Sequence, residues 1–192
     1  MEYDLAIENA PASIPGGTGV LLVHPSTGQT DRIDTDFLKT DTDHRLVVST
    51  RTTAREVQQK LEYYEVDDET TDILDTLSVE RGYSRRSSER VHYIAAPDDT
   101  DGVVAKAAEF LESHDGKRRV SFDSITELAY YADEAGARDA VERILELLEE
   151  HDAVGLFHLA AEVHDESVVA GYRELFERVV TLDEDGTVSA SF

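Results

Sequence analysis

The amino-acid sequence predicts an α/β fold with three layers: a mostly parallel twisted sheet, helices on both faces of it, and a C-terminal β-hairpin. Six short apolar runs are continuous rather than alternating, which is typical of strands that are covered on both faces. Segments with helical periodicity lie between most of these runs, and strands that alternate with helices form parallel sheets. The length of 192 residues predicts one domain over residues 1–192.

The six apolar runs predict strands at residues 20–23, 46–49, 91–95, 120–122, 154–159 and 179–182. After the last of them, Asp185 and Gly186 lie between two apolar segments. This dipeptide predicts a two-residue hairpin turn.

Helix signals lie between the strands. Thr53 and Glu56 form a capping-box pattern ahead of an apolar face, which predicts the start of the first clear helix. Three more helices are predicted at residues 103–112, from residue 125, and at 166–178. Another is predicted around residues 141–148, where apolar positions recur at helical spacing.

The chain is strongly acidic, with 42 Asp and Glu, 18 Lys and Arg, and a net charge of -24. Acids spread over the whole chain are typical of a surface that is solvated at high salt, as in a halophilic organism. Nucleic-acid binding is disfavoured because it depends on phosphate neutralisation by basic residues. Without cysteine, disulfides and thiolate metal sites are excluded. No leader or membrane-length apolar run is seen, so we expect a soluble cytoplasmic protein.

Residues 14–30, I-P-G-G-T-G-V-L-L-V-H-P-S-T-G-Q-T, have the layout of a strand that leads into a phosphate-binding loop. Such a loop needs an initial glycine, a lysine for the phosphates and a hydroxyl for Mg²⁺. Here His24 takes the place of the first glycine and Gln29 that of the lysine, while Gly28 and Thr30 are retained and the loop is one residue short. This pattern predicts a remnant of the loop.

Together with R-L-V-V-S-T at 45–50 and R-R-V-S-F-D-S-I-T-E-L at 118–128, this stretch resembles the RecA superfamily. The resemblance is strongest to KaiC-type ATPases and to the short KaiC-like (HTR-like) proteins of haloarchaea. It extends over about residues 14–182 and rests on the order and spacing of the motifs.

The resemblance implies a degenerate site. In that family an acid at the end of a strand holds a magnesium-bound water, and Asp123, followed by Ser124, matches it; either residue also serves as a helix N-cap. The family's catalytic glutamates follow the second strand, where this chain has Thr50 and Arg51. We therefore expect a pseudo-ATPase without catalytic residues, cofactor or metal, which acts as a regulatory or scaffolding protein-interaction module.

An alternative function uses the same cleft for a different purpose. The protein would be a small-molecule or nucleotide sensor, or a weak ATPase, with Arg51, Asp123, Ser124 and His164 at the carboxyl edge of the sheet.

A basic segment at 80–90, E-R-G-Y-S-R-R-S-S-E-R, interrupts the acidic sequence with Arg81, Arg85, Arg86 and Arg90. Such a segment favours an interaction loop for an acidic partner, an anion or a neighbouring subunit. A solvated loop that pairs with nearby acids is the alternative. We expect a protein partner or self-association, with ring, dimer and monomer all open.

Other polar residues are expected at the carboxyl edge of the sheet. Neither a metal site of His, Asp and Glu nor a Ser–His–Asp hydrolase triad is indicated there, because the chain has no H-E-x-x-H and no G-x-S-x-G motif. His158, inside an apolar run, is predicted to be a core histidine. The remaining edge candidates are Ser49, Glu162 and Asp165.

Overall fold

The computed structural model describes residues 1–85 and 88–192. Its strands are β1 (Glu2–Asp4), β2 (Ser13–Pro15), β3 (Thr18–His24), β4 (His44–Ser49), β5 (Thr71–Asp75), β6 (Val91–Tyr93), β7 (Arg118–Asp123), β8 (Val154–Ala160), β9 (Val179–Leu182) and β10 (Val188–Ser191). Its helices are α1 (Asp31–Lys39), α2 (Ala54–Tyr63), α3 (Thr100–Ser113), α4 (Ile125–Glu150) and α5 (Glu166–Phe176), with a 3-10 turn at Ala161–Val163.

A mostly parallel sheet forms the middle layer. Its eight strands run in the order β10-β9-β3-β8-β7-β4-β5-β6. Neighbouring strands pair in parallel, except that β9 and β10 are antiparallel. The predicted α/β class and the C-terminal hairpin are therefore confirmed. Strands β1 and β2 form a separate antiparallel hairpin.

Two apolar cores cover the two faces of the sheet, as the continuous apolar strands require. Along β3, Leu21 and Val23 join the core that contains α3, α4 and α5. Val20 and Leu22 join the opposite core with α1, α2 and the β1–β2 hairpin. The sheet therefore lies between two helical layers, and its carboxyl edge is left for the loops.

The hairpin turn differs from the sequence prediction. Residues 183–187 connect β9 and β10, with Gly186 at φ 86, so the turn is longer than two residues. The two helices predicted after Ser124 and around 141–148 are both present, as the two segments of α4 on either side of a break at Asp133 (φ 68, ψ 169).

Candidate functional site

The carboxyl ends of β3, β4, β7 and β8 bring four of the predicted residues together, His24, Arg51, Asp123 and Ser124, as expected for a parallel sheet. A cavity of about 190 Å³ at this edge is lined by three of them, His24, Arg51 and Ser124, together with Ser26, Thr126, Glu127, Tyr130, Ala160 and Val163. Gly28 and Gln29 instead line a separate groove of about 1060 Å³ between the N-terminal segment, α1 and the C-terminal hairpin. The loop after β3 therefore contributes to two cavities.

The loop between β3 and α1 binds a carboxylate of the protein itself, that of Glu162. The Ser26 backbone N–H donates to Glu162 Oε1 over 2.8 Å, and the Ser26 hydroxyl donates to the same oxygen. These two hydrogen bonds hold the pKa of the Glu162 carboxyl below its usual value. The Gly28 N–H donates to the Pro25 carbonyl over 2.8 Å. Two amides that would face a phosphate are thus used internally.

Asp123, the residue matched to the family's magnesium-site acid, is paired. Its Oδ2 lies 3.0 Å from Arg51 Nη2, and the residue is 5% exposed. Burial alone would raise the pKa of this carboxyl, but His158 and Arg51 hold it below its ordinary value. Arg51 therefore places a positive charge at the position where the resemblance implies a catalytic glutamate.

Thr50 and Ser124 hold the ends of β4 and β7 together. The Thr50 hydroxyl donates to the Ser124 carbonyl over 2.8 Å and accepts from the Ser124 N–H over 2.7 Å. The Ser124 side chain also caps α4 by accepting from the Glu127 N–H. Ser124 therefore has the predicted N-cap role. The Asp123–Ser124 peptide bond is cis.

A buried ionic network lies beneath this edge and was missed from the sequence. Asp34, which is fully buried on α1, has its Oδ2 2.8 Å from Lys60 Nζ and its Oδ1 3.2 Å from His158 Nε2. The Ser121 hydroxyl donates to the same Oδ1. Burial would raise the pKa of Asp34, but Lys60 and His158 hold it well below its ordinary value. The network neutralises a carboxylate that would otherwise be an isolated charge in the core.

Two histidines lie between Asp34 and the cavity. His158 is fully buried, as predicted for a core histidine. His24 packs edge-on against it with ring centroids 5.6 Å apart, and its Nδ1 lies 2.8 Å from the Pro25 carbonyl. Burial, and then the neighbouring His158, lower the pKa of His24, so its imidazole is neutral at neutral pH.

Within residues 1–85 and 88–192, several polar atoms at this edge are buried without a hydrogen-bond partner. His24 Nε2 and Arg51 Nε are two of them, and both residues line the 190 Å³ cavity. Asp123 Oδ1 and His158 Nδ1, which are 4.0 Å apart, are two more. Buried polar groups normally form hydrogen bonds. The region is therefore polar, and the protein leaves some of its hydrogen-bonding capacity unused.

The other predicted edge residues lie outside this group. The Ser49 hydroxyl donates to the Thr52 carbonyl over 2.6 Å within its own turn. Asp165 precedes α5 without a side-chain capping bond. His164 contacts two residues of α4, Thr126 and Glu134.

The predicted arginine-rich interaction loop lies at the β6 end of the sheet. Arg81 and Arg85 are exposed, and the neighbouring hydroxyls of Tyr131 and Tyr83 raise the pKa of Arg81. Arg90 Nη1 pairs with Asp72 Oδ1 at 3.1 Å, which matches the alternative of pairing with nearby acids. Arg86 lies outside the described residues.

In the described part of the chain, no group of three or more His, Cys, Asp or Glu side chains is arranged to hold a metal ion. Among residues 1–85 and 88–192, no helix is both long and apolar enough to cross a membrane.

Comparison with protein families gives one match. The profile described as "Family of unknown function (DUF7090)" matches residues 1–192. The chain belongs to the DUF7090 family. Among curated proteins, no sequence matches the DUF7090 chain significantly.

Solved structures show what the DUF7090 fold is similar to. A KaiC-like protein from the hyperthermophilic archaeon Pyrococcus horikoshii OT3 has a TM-score of 0.63 and 14% identity, over 93% of this chain and 78% of that chain. A prototypical ATPase from the type III secretion system of pathogenic bacteria has a TM-score of 0.62 and 11% identity, over 90% of this chain and 54% of that chain. The DUF7090 chain thus spans about half of the second protein. At these identities the similarity shows a shared RecA/KaiC-like fold, and it gives no information about an activity.

Proposed function

We propose that this DUF7090 protein is a RecA/KaiC-like domain without nucleotide hydrolysis, which acts as a regulatory or scaffolding module through protein contacts. The observation that carries the proposal is the Glu162 carboxylate bound to the Ser26 backbone N–H and hydroxyl. It occupies loop donors that a phosphate would need, in a loop where Gln29 replaces the lysine.

The charges around the loop support the same proposal. The 1060 Å³ groove beside Gln29 has six carboxylates and one guanidinium in its lining: Glu8, Asp36, Glu162, Asp183, Glu184, Asp185 and Arg32. A nucleoside triphosphate carries three to four negative charges, so such a groove would repel it. Asp123, which the resemblance matches to the family's magnesium-site acid, is already paired with Arg51.

A phosphate-release assay with ATP and Mg²⁺ in molar KCl tests the absence of hydrolysis. We expect no release above the rate without protein. The matched control is Asp123→Ala, because a contaminating ATPase would persist in that variant. Turnover by the wild type that Asp123→Ala abolishes would overturn the proposal.

The protein-contact part of the proposal rests on Arg81 and Arg85, which are exposed in an otherwise acidic chain. Affinity capture from native cells at native salt should recover a defined partner, or a second copy of the chain. The double variant Arg81→Glu/Arg85→Glu should lose it, while Arg173→Glu, an exposed arginine on α5, should retain it. Capture that is the same in all three proteins would contradict a role for the loop, and light scattering distinguishes self-association from a second protein.

A further inference from the structure

A hydroxyl, an imidazole and a carboxylate form a continuous hydrogen-bonded chain beside the 190 Å³ cavity. Thr126 Oγ1, in the first turn of α4, lies 2.9 Å from His164 Nε2. His164 Nδ1 lies 2.5 Å from Glu134 Oε1. The Thr126 residue is 7% exposed, and the His164 side chain is 2% exposed. The two inner members are therefore shielded from bulk water.

The surrounding hydrogen bonds fix the direction of this chain. The Glu134 carboxylate can only accept, so His164 Nδ1 carries the proton, and Nε2 of the neutral ring is an acceptor. The Ala160 backbone N–H donates to Thr126 Oγ1 over 2.9 Å, which leaves the hydroxyl proton to be donated to His164 Nε2. A nucleophile next to a base, with the base oriented by a third group, is the arrangement used for covalent catalysis.

The cavity supplies the remaining requirements of acyl transfer. Thr126 and Arg51 both line it, and the Arg51 side chain is 32% exposed. Its positively charged guanidinium can stabilise negative charge that develops on a carbonyl oxygen. His24, 4% exposed, also lines the cavity.

The size and lining of the cavity indicate the class of substrate. Its volume is about 190 Å³, which suits a short acyl group and not a nucleotide. Tyr130 is 82% exposed and Val163 is 61% exposed, and both line the cavity. Such apolar side chains favour an uncharged, apolar acyl chain.

We propose that Thr126 is a catalytic nucleophile for small, apolar acyl esters, with His164 as general base and Glu134 as the positioning residue. Thr126 Oγ1 forms a bond to the ester carbonyl carbon while its proton passes to His164 Nε2. The bond from that carbon to the alcohol oxygen then breaks, and the alcohol leaves with this proton. Water hydrolyses the acyl-threonine in the same way, which releases the acid and restores the hydroxyl.

This inference goes beyond the proposed function and is independent of it. It uses none of the hydrogen-bond donors of the loop after β3. Neither hydrolysis of ATP nor its absence would therefore support or contradict it. Sequence reasoning missed the triad because the nucleophile is a threonine on a helix, outside any G-x-S-x-G turn, and because Glu134 directly follows the break in α4.

The test uses p-nitrophenyl acetate with the full chain in molar KCl. Release of p-nitrophenolate is followed by absorbance, and the acetylated residue is located by peptide mass spectrometry. We expect acetyl-Thr126 in the wild type. Thr126→Val and His164→Gln should each lower the release rate by about a hundredfold, and Glu134→Gln should lower it less. Thr187→Val, at an exposed threonine of the C-terminal turn, is the matched control and should keep the wild-type rate.

Folding and specificity are checked with two further measurements. Circular dichroism and thermal melting show whether each variant is folded, and Thr126→Ser, which keeps the hydroxyl, should retain acetylation even if Thr126→Val unfolds. Acetyl groups found on lysines or the N-terminus but not at residue 126 in wild type and Thr126→Ser would overturn the proposal. An unchanged release rate in a folded Thr126→Val would also overturn it.

Discussion

Lys60 places an ammonium group inside the protein, where it is needed to balance a buried carboxylate. Its side chain is 15% exposed and Asp34 is fully buried. Burial would lower the pKa of Lys60, but Asp34 raises it above its ordinary value. Each partner therefore keeps the other charged, and the ionic link connects α1 to α2.

Replacing Lys60 with methionine should destabilise the protein by about 3–5 kcal/mol, because the Asp34 charge is then left without its main partner. Urea unfolding measures this change. Lys39→Met is the matched control, since Lys39 makes only a surface pair with Asp36 at 3.5 Å and should change stability by less than about 1 kcal/mol. The double variant Asp34→Asn/Lys60→Met should be more stable than Lys60→Met alone. A Lys60→Met variant as stable as Lys39→Met would show that the buried pair is not needed.

His24 gives the protein a pH dependence of stability with a defined sign. Because the folded-state pKa of His24 is lowered by burial and then by His158, the unfolded chain binds a proton more readily. Stability is therefore fully present above the ordinary histidine pKa of about 6.5 and is lost as pH falls through the folded-state value. The lowered pKa of Asp34 and Asp123 acts in the same direction, but only below about pH 4.

His24→Asn should flatten this dependence between about pH 7 and 5, since its amide still donates to the Pro25 carbonyl but does not titrate. Urea midpoints at several pH values measure the slope. Part of the slope should remain, because burial and then His114 also lower the pKa of His44. The matched control is His151→Gln, which also removes one imidazole but at a half-exposed position. An unchanged slope in His24→Asn would contradict a neutral buried His24.

The break in α4 divides that helix into two segments with different tasks. The first segment carries Thr126 at the carboxyl edge, and the second packs its apolar face on the sheet. Asp133 has φ 68 and ψ 169, a backbone region that is nearly exclusive to glycine. Its Oδ1 accepts from the Gly136 N–H over 2.8 Å, so the same residue caps the second segment.

Substitutions at Asp133 separate the cap from the backbone strain. Asp133→Ala should destabilise the protein by about 1 kcal/mol, because it loses the cap and retains the unfavourable backbone conformation. Asp133→Gly loses the same cap but relieves the strain, so it should be more stable than Asp133→Ala. Thermal unfolding of both variants gives the comparison. Equal stabilities would show that the backbone at residue 133 is not strained.

Elements with a strong apolar pattern could be predicted from the sequence, and elements built on buried polar residues could not. The strands β3, β4, β7 and β8 and the capping box of α2 follow directly from apolar runs and from Thr53 and Glu56. Strand β5 was missed because Thr71, Asp72 and Asp75 break its apolar run, although all of its residues are buried. Helix α1 was missed for the same reason, since its inward face carries a buried carboxylate.

The candidate site was predictable only in part. The parallel sheet places His24, Arg51 and Asp123 at one edge, and this followed from the order of the strands. The pairings did not follow, because residue spacing cannot show that Arg51 neutralises Asp123 or that Glu162 binds the loop at Ser26. Those contacts depend on loop conformations that the apolar pattern does not determine.

Charge is the property of the whole protein that bears most on its function. The net charge of -24 is accompanied by a carboxylate-lined groove next to the remnant loop. We expect this charge to repel an anionic nucleotide. The proposed lack of nucleotide binding therefore rests on the charge of the groove as well as on the loop sequence.

Isothermal titration of the wild-type protein with ATP and Mg²⁺ in molar KCl tests this account most directly. High salt screens the general repulsion between the acidic protein and the nucleotide, so the experiment measures the site itself. We predict only the heat of dilution. Saturable heat with a micromolar Kd, lost in Asp123→Ala, would contradict the account.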